Sequence, residues 1–528
     1  MTNQDLYLGL DLSTQQLKCT VMDNAHSIVL EEAVNFDRDL PEFGTKHGAF
    51  QNGDRVTSPT LMWVKALDIL LERLKATGRI HEIRGISGAG QQHGSVYWSV
   101  KGIDTLGKLD GSKSLEEQLK DAFAIDQSPI WQDASTTREC RSLEQLVGGP
   151  QALADLTGSK AYERFTGNQI AKIYHERESE YQNTKHISLV SSFIATLLLG
   201  KLAPVDSPEG SGTNLMNIWT HRWQPELLEH CGGRELINKL SLEPVEGGVQ
   251  LGNINPYYVQ RYGFSPDCKV MPFTGDNSAT LVSMNLKEGD CVISLGTSDT
   301  VLVYLKQGAA KATTESHLMA HPTDPTGFMG MLCYKNGSLT REHIRNEYAS
   351  GDWAKFNEYL DKDLDGKLGF YYYMQEIIPF AKGIYRFDHG QPVSEFSDPA
   401  SNVRAIVESQ FLSMRIRLQR MTTAKMSRIL ATGGAAANTK LLQFLSDVFG
   451  LPVYKQKGMN SASLGGALLA KYGVLGNGSF ESMMKQQAQN EPELVCSPNL
   501  EKTRYYDTLI EDYVRLEKSV VDQQQQQQ

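Results

Sequence analysis

Leu6-Tyr-Leu-Gly-Leu-Asp11-Leu-Ser-Thr14-Gln-Gln-Leu-Lys18-Cys-Thr-Val-Met22 reads as an apolar strand, a tight polar turn and a second apolar strand. The pattern returns past the middle of the chain, at Cys291-Val-Ile-Ser-Leu-Gly296-Thr-Ser-Asp-Thr-Val-Leu-Val-Tyr304. A hairpin turn built from Gly, Ser and Thr aims backbone N–H groups and small hydroxyls at one point, which suits a phosphate. Two such turns in two halves of one chain suggest two lobes gripping a polyphosphate between them. Asp11 adds a carboxylate of the kind that holds the Mg²⁺ accompanying nucleotide phosphates. Two ordinary hairpins with Gly and Ser in their turns would give the same local pattern, so the turns alone leave both readings open.

Working outward, 528 residues exceed one hydrophobic core, and two large domains are the default. A hydrophobic content of 40 % and a charged content of 22 % are those of an ordinary water-soluble globular protein. The net charge of -10 argues against a nucleic-acid partner. The longest apolar stretch, Ile187 to Leu199, is too short and too rich in Ser and Thr to cross a bilayer, and is expected as a buried helix. The N-terminus is polar and acidic, without a charged-then-apolar leader. The seven cysteines (Cys19, Cys140, Cys231, Cys268, Cys291, Cys333 and Cys496) are scattered and never form C-x-x-C. They read as reduced thiols of a cytoplasmic protein with no membrane partner, no disulfide framework and no zinc site. A monomer and a homodimer both fit.

Residues 6–36 read as a meander, Leu6–Leu10, Lys18–Met22 and Ile28–Asn35. Apolar spacing predicts a helix over Leu61–Leu74, followed by a strand at Ile83–Ser87. Lys101–Asp121 reads as a surface insertion, Ile130–Asp133 as a short strand ending in a loop, and Lys269–Phe273 as another strand. Strands resume near Asp290. A long helix is expected over Arg404–Met421, a strand entering a Gly-rich turn at Ile429–Asn438, and helices over Thr439–Phe449 and Ser461–Tyr472. Strands mixed with helices in both halves predict an α/β chain of two similar lobes with a ligand cleft between them. The boundary falls near Lys287, giving lobes 1–287 and 288–518 and a disordered Gln-rich tail, 519–528.

Four loops after apolar strands are rich in functional groups: Asp11 to Gln16, Gln91-Gln92-His93, Trp131-Gln132-Asp133 and Gly275-Asp276-Asn277. In α/β folds such loops build the active site. Each group also has a bland reading. Asp276 can cap the next helix, His93 can be a satisfied core histidine, Arg164 can pair with Glu163, and Asp133 can tie its own loop. Gly433-Gly434 can be a tight strand-to-helix turn, and Trp353 can anchor a core.

Six segments in order resemble those of the FGGY carbohydrate kinase family, and within it the xylulose kinases of the animal type in particular. They are Gly9-Leu-Asp11-Leu-Ser-Thr, Gly90-Gln-Gln-His93-Gly, Tyr162-Glu-Arg164-Phe-Thr-Gly-Asn-Gln-Ile-Ala-Lys172, Phe273-Thr-Gly-Asp276-Asn277, Ser294-Leu-Gly-Thr-Ser298-Asp-Thr and Ala431-Thr-Gly433-Gly434. The resemblance covers nearly the whole chain and implies the actin/hexokinase/Hsp70-like ATPase (ribonuclease H-like) fold. It implies Asp276 as the catalytic base toward a sugar hydroxyl. His93, Arg164, Asp276 and Asn277 would lie at the sugar, with Gln92 at its edge. For ATP it implies Ser13, Thr14, Gln15 and Gln16 on one side, and Gly296, Thr297 and Ser298 on the other. Gly433, Gly434, Asn438 and Trp353 would lie at the adenosine, and Asp11 on Mg²⁺. The chain departs from the family signature at Gln169 and Tyr174, and at Gln132 in the Trp-Gln-Asp loop. The implied reaction is ATP-dependent phosphorylation of D-xylulose to D-xylulose 5-phosphate. A kinase of ribulose, gluconate or glycerol, an ATP-driven clamp and a sugar-sensing pseudokinase are the alternatives.

Overall fold

The residues before and after the first turn are apolar on both faces, and the computed structural model shows why. Strand β1 (Leu6–Leu12) is the centre of a sheet, with Leu6, Leu8, Leu10 and Leu12 all buried. It pairs antiparallel with β2 (Gln16–Asp23), which pairs with β3 (Ile28–Asn35). On its other side β1 runs parallel to β4 (Ile83–Gly90), and β4 parallel to β5 (Lys269–Val270). The crossover from β3 to β4 passes through helix α1 (Thr60–Ala76), whose Met62, Trp63, Ala66, Leu67, Leu70, Leu71 and Leu74 form one buried stripe. Two further helices bear on the site: α2 (Ser207–Ser211) and α3 (Asp276–Met284). The described residues are 5–362, 366–456, 460–485 and 492–527.

The second half repeats the order. Strands β6 (Asp290–Leu295) and β7 (Asp299–Lys306) form the antiparallel hairpin. Beyond β7 lies β8 (Gly327–Tyr334); beyond β6 lie β9 (Arg428–Thr432) and β10 (Val453–Lys455), both in parallel succession. The order β8-β7-β6-β9-β10 matches β3-β2-β1-β4-β5. Helices α4 (Ser338–Tyr348), α5 (Trp353–Tyr359) and α6 (Thr439–Phe449) flank the strand ends of this half.

The chain divides into two units, but not at one point. One comprises Met1–Asn285, Leu318–Phe328 and Met459–Ala488; the other comprises Leu286–His317, Met329–Gly458 and Gln489–Gln528. A single boundary near Lys287 therefore misassigns helix α7 (Ala462–Leu475), which packs on the first sheet. Its small residues permit this. A Cβ on Gly9 would lie 1.8 Å from the Ser463 carbonyl oxygen, and one on Gly466 2.5 Å from Gly88 Cα. The Thr20 and Ser463 hydroxyls meet across the same contact at 2.8 Å.

Three local expectations are corrected. Ile130–Asp133 is a turn closed by the Asp133 N–H on the Ile130 carbonyl, and the strand there is Gln127–Pro129. Lys101–Asp121 holds two short helices that bury Leu106, Leu115 and Leu119. The expected disordered tail instead continues helix α8 (Leu500–Gln527). Tyr506, Tyr513, Leu516 and Val520 anchor α8 at helical spacing, and glutamine extends a helix at little cost. None of the described helices is long and apolar enough to cross a membrane.

Candidate active site

Sheet register brings the acids of the first unit together. Ala89 of β4 pairs with Asp11 on one side and with Thr274 on the other; Gly90 pairs with Leu12 and Gly275. Asp276 is the next residue, at the N-terminus of α3, where Gly275 is the N-cap. Its Oδ1 accepts the Asn277 backbone N–H at 2.9 Å. Burial pushes the Asp276 carboxyl up to about 6. Asp11 is pushed up to about 7, first by burial and then by the negative charge of Asp276, against a smaller opposing pull from Lys18. Buried polar atoms are normally hydrogen-bonded. Here Asp11 Oδ1, both amide atoms of Gln91 and Ser278 Oγ have no partner in the protein. Gln91 is only 2 % exposed, so its amide has no bulk solvent to turn to.

His93 closes the next side. It adopts φ +73°, which swings its ring onto Phe165, with centroids 4.4 Å apart. Its Nδ1 lies 2.7 Å from the Gly212 carbonyl oxygen. A carbonyl only accepts, so Nδ1 carries the proton and Nε2 keeps its lone pair. Burial, and then the Arg164 charge, push the imidazole down to about 3, so it stays neutral. Arg164 stacks its guanidinium over Tyr162 at 4.8 Å and over Phe165 at 5.5 Å. Gln92 Oε1 accepts from Asn277 Nδ2 at 3.1 Å. His93, Gln92, Arg164, Asp276 and Asn277 thus belong to one constellation, with a carboxyl, a fixed acceptor, amides and a cation. That set matches a polyhydroxylated ligand.

The first turn is tightly tied. The Ser13 N–H and hydroxyl both reach the Gln16 carbonyl at 3.0 Å, and the Trp131 indole N–H donates to the Thr14 hydroxyl at 2.9 Å. Gln15 is exposed. Asp133 is a structural residue: it accepts from the Val56 N–H and from Gln169 Nε2, both at 2.9 Å. The departure at Gln169 therefore has a use.

In the second unit, Thr297 and Ser298 are exposed at the tip of the β6–β7 turn. Gly433 has φ +84°, and a Cβ there would lie 2.6 Å from the Leu295 carbonyl oxygen, so the glycine turn is seated against the end of β6, beside Gly296. Gly434 is open: nothing lies within 4 Å of its Cβ position. Asn438 caps α6 and donates to Asn357 Oδ1 at 2.8 Å. Asn357 is one helical turn after Trp353, which is 37 % exposed and carries the Arg345 guanidinium 4.6 Å from its ring centroid. Gly296, Gly433, Asn438 and Trp353 are therefore linked through one set of strand ends and helix starts.

Sequence reasoning passed over Gln91, Glu209, Asp299, Arg341 and Arg345. Gln91 stood in a loop already singled out. Asp206-Ser-Pro-Glu209 carries a helix-start signal, an N-cap Asp and an early Pro, but nothing local reveals that Glu209 is buried.

A glycine-and-hydroxyl turn repeated on two like sheets, with a buried carboxyl at a helix start, fits a sugar kinase of the two-domain ATPase fold. Residues 117–283 match the N-terminal domain of the FGGY family of carbohydrate kinases, and residues 291–474 its C-terminal domain. The chain belongs to that family. It is 45 % identical to a xylulose kinase of Rattus norvegicus, over 97 % of each chain. It is 44 % identical to xylulose kinase 2 of Arabidopsis thaliana, covering 90 % of this chain and 88 % of that one. Among solved structures, a xylulose kinase from Rhodospirillum rubrum superposes with a TM-score of 0.80 at 16 % identity, covering 98 % of this chain and 99 % of that one. Glycerol kinase of Plasmodium falciparum with ADP gives 0.74 at 15 % identity, over 97 % of this chain and 98 % of that one.

Proposed function

We propose that this protein transfers the γ-phosphoryl group of ATP to D-xylulose, giving D-xylulose 5-phosphate and ADP. The observation that carries the reading is the meeting of Asp276, neutral His93 and Asn277 in a chain 45 % identical to a xylulose kinase. The first unit takes the sugar and the second most of the nucleotide. Asp276 accepts the proton of the sugar hydroxyl as the O–P bond forms and the bond from the γ-phosphorus to the bridging oxygen breaks. A carboxyl that titrates at about 6 is ionised at neutral pH yet basic enough for this step. His93 Nε2 accepts from one sugar hydroxyl, while Arg164 and Asn277 donate to others. Each of the two turns, Ser13 to Gln16 and Gly296 to Ser298, offers N–H groups and hydroxyls to a phosphate. Trp353 flanks the adenine.

Mg²⁺ fits the acids present. Asp11 offers an unpartnered buried oxygen beside a second carboxylate, Asp276. Among the described residues no cluster of three or more His, Cys, Asp or Glu side chains forms a metal cage. That suits an ion held by one carboxylate, water and nucleotide phosphates. When bound, the ion neutralises charge on the phosphates. No disulfide joins any of the seven cysteines, which supports a cytoplasmic enzyme.

The test is ADP release from Mg·ATP with a panel of ketoses and polyols. Turnover led by D-xylulose is expected. Turnover led by ribulose, gluconate or glycerol would keep the mechanism and replace the substrate. ATP hydrolysis indifferent to sugar would overturn the reading in favour of a clamp.

A further inference from the structure

We infer that Gln91 is a further binding residue for Mg·ATP: its amide oxygen accepts from water of the hydrated Mg²⁺, and its amide nitrogen donates to a phosphate oxygen. The ligand is that of the kinase reading above, on which the inference rests.

Gln91 is buried, and neither end of its side-chain amide has a partner in the protein. Such an amide offers two N–H donors and an acceptor, and a buried polar group left unbonded costs stability. The backbone shows where it stands. The Gln91 N–H donates to the Leu12 carbonyl at 2.8 Å. The ladder between β1 and β4 thus runs on past Gly90 and sets Gln91 beside Ser13, at the start of the first turn. On the other flank Gly90 is opposite Gly275, so Gln91 and Asp276 are the next residues of the two segments.

Side chains alternate between faces along a strand, and residues opposite one another share a face. A Cβ on Gly9 would meet Ser463, beside α7, and Ala89 packs with Ala279 of α3 and Ala462 of α7. Asp11, opposite Ala89, shares that face. A Cβ on Gly90 would meet Ser191, on the other face. Gln92 follows Gly90: its side chain comes within 2.6 Å of where a Cβ on Gly275 would sit, and its Oε1 accepts from Asn277. Gln91 therefore leaves on the face of Asp11, away from Gln92. On that face Asp11 Oδ1, an acceptor, and Gln91 Nε2, a donor, come from adjacent strands and bond neither each other nor any other group of the protein. A hydrated cation carrying phosphate supplies what both lack. Mg²⁺ sheds water reluctantly, and that water donates to acceptors such as Asp11 Oδ1 and Gln91 Oε1. A phosphate oxygen accepts from Nε2. The consecutive glutamines thus serve two ligands, Gln92 the sugar and Gln91 the nucleotide.

The experiment compares wild type with Gln91→Leu, which keeps the volume and removes both ends of the amide. Calorimetry with Mg²⁺ and the β,γ-imido analogue of ATP, without sugar, is expected to show a dissociation constant raised at least about tenfold, as for a lost hydrogen bond to a charged group. KM for D-xylulose is expected to stay within about twofold. The ligand-free variant is expected to melt at or above the wild-type temperature, because an apolar group replaces an unbonded polar one. If the leucine variant does not fold, Gln91→Met, unbranched like glutamine, serves the same comparison. A smaller rise in the dissociation constant overturns the inference. So does a ligand-free melting temperature below that of wild type, the mark of an amide bonded within the protein, or a larger effect on the sugar KM than on the analogue. A wild-type protein that binds the analogue but phosphorylates no sugar overturns the kinase reading, and the affinity comparison still decides this inference. One that does not bind the analogue overturns both.

Discussion

Asp11 and Asp299 lie on opposite arms of the two equivalent hairpins, and they have opposite fates. Asp11, on the first arm of its hairpin, keeps one buried oxygen without a protein partner and a carboxyl pushed up to about 7. Asp299, on the second arm of its hairpin, spends both oxygens on Arg341, at 2.6 and 3.0 Å, with both side chains buried. Arg341 also donates to Ser338 Oγ at 2.9 Å, and the Ser338 N–H donates to the Gly296 carbonyl at 2.9 Å. In the second unit the acid is consumed in bracing a turn; in the first one of its oxygens keeps no protein partner. The same strand–turn–strand pattern thus yields an open end and a scaffolded end, and the neighbour of each acid decides which.

Four experiments would break or sharpen that contrast. The largest effect is expected at the open end. Asp276→Asn removes the proposed base and should lower kcat by about 10²–10⁴-fold with the fold intact, measured by ADP release and circular dichroism. Full turnover in that variant would move the base elsewhere. Next is the scaffolded end. Arg341→Met leaves Asp299 buried and unpaired, and urea unfolding should show a loss of about 3–5 kcal/mol. A loss below about 1 kcal/mol, the range of exposed pairs, would mean the pair does not brace the turn.

The third concerns pH. Asp276 must be ionised to accept a proton, and its carboxyl titrates at about 6. Below that pH, kcat/KM should fall about tenfold per pH unit. A profile flat down to pH about 5 would contradict the raised base. The fourth concerns stability. The folded state holds the Asp11 proton up to about pH 7, whereas the unfolded chain releases it near 3.8. Between those values the native state binds more protons, so Asp11 lowers stability progressively as pH rises. Without Mg²⁺, Asp11→Asn should therefore melt above the wild type at pH about 8, and the difference should vanish once both states are protonated, below pH about 4. A lower melting temperature at both pH values would show that Asp11 has a structural partner after all.

Much of the fold was legible because its signals are local. The meander, the α1 stripe and the small-residue helix near Ser461 follow from periodicity. The Gln run was misread because composition carries no information about the tyrosines of α8 that anchor it. The single domain boundary failed because α7 returns to pack on strands β1 and β4, near the start of the chain. At the site, the loops holding His93, Asp276 and Gly433 announced themselves, and the family resemblance added Arg164 and Trp353. Glu209 and Arg341 did not, since burial of a charged residue is a property of what surrounds it.

By itself, the sequence determined two hairpins with glycine-and-hydroxyl turns, the α/β alternation of both halves and the residue types able to bind a sugar and phosphates. These depend on neighbours a few positions apart. The tertiary structure decided the rest: that register through Ala89 sets Asp11 beside Asp276, that the Gly212 carbonyl fixes the His93 tautomer, and that Arg341 claims Asp299 while Asp11 goes unclaimed. Protonation and charge pairing depend on burial and on contacts between residues far apart in the chain, and only the folded protein supplies those.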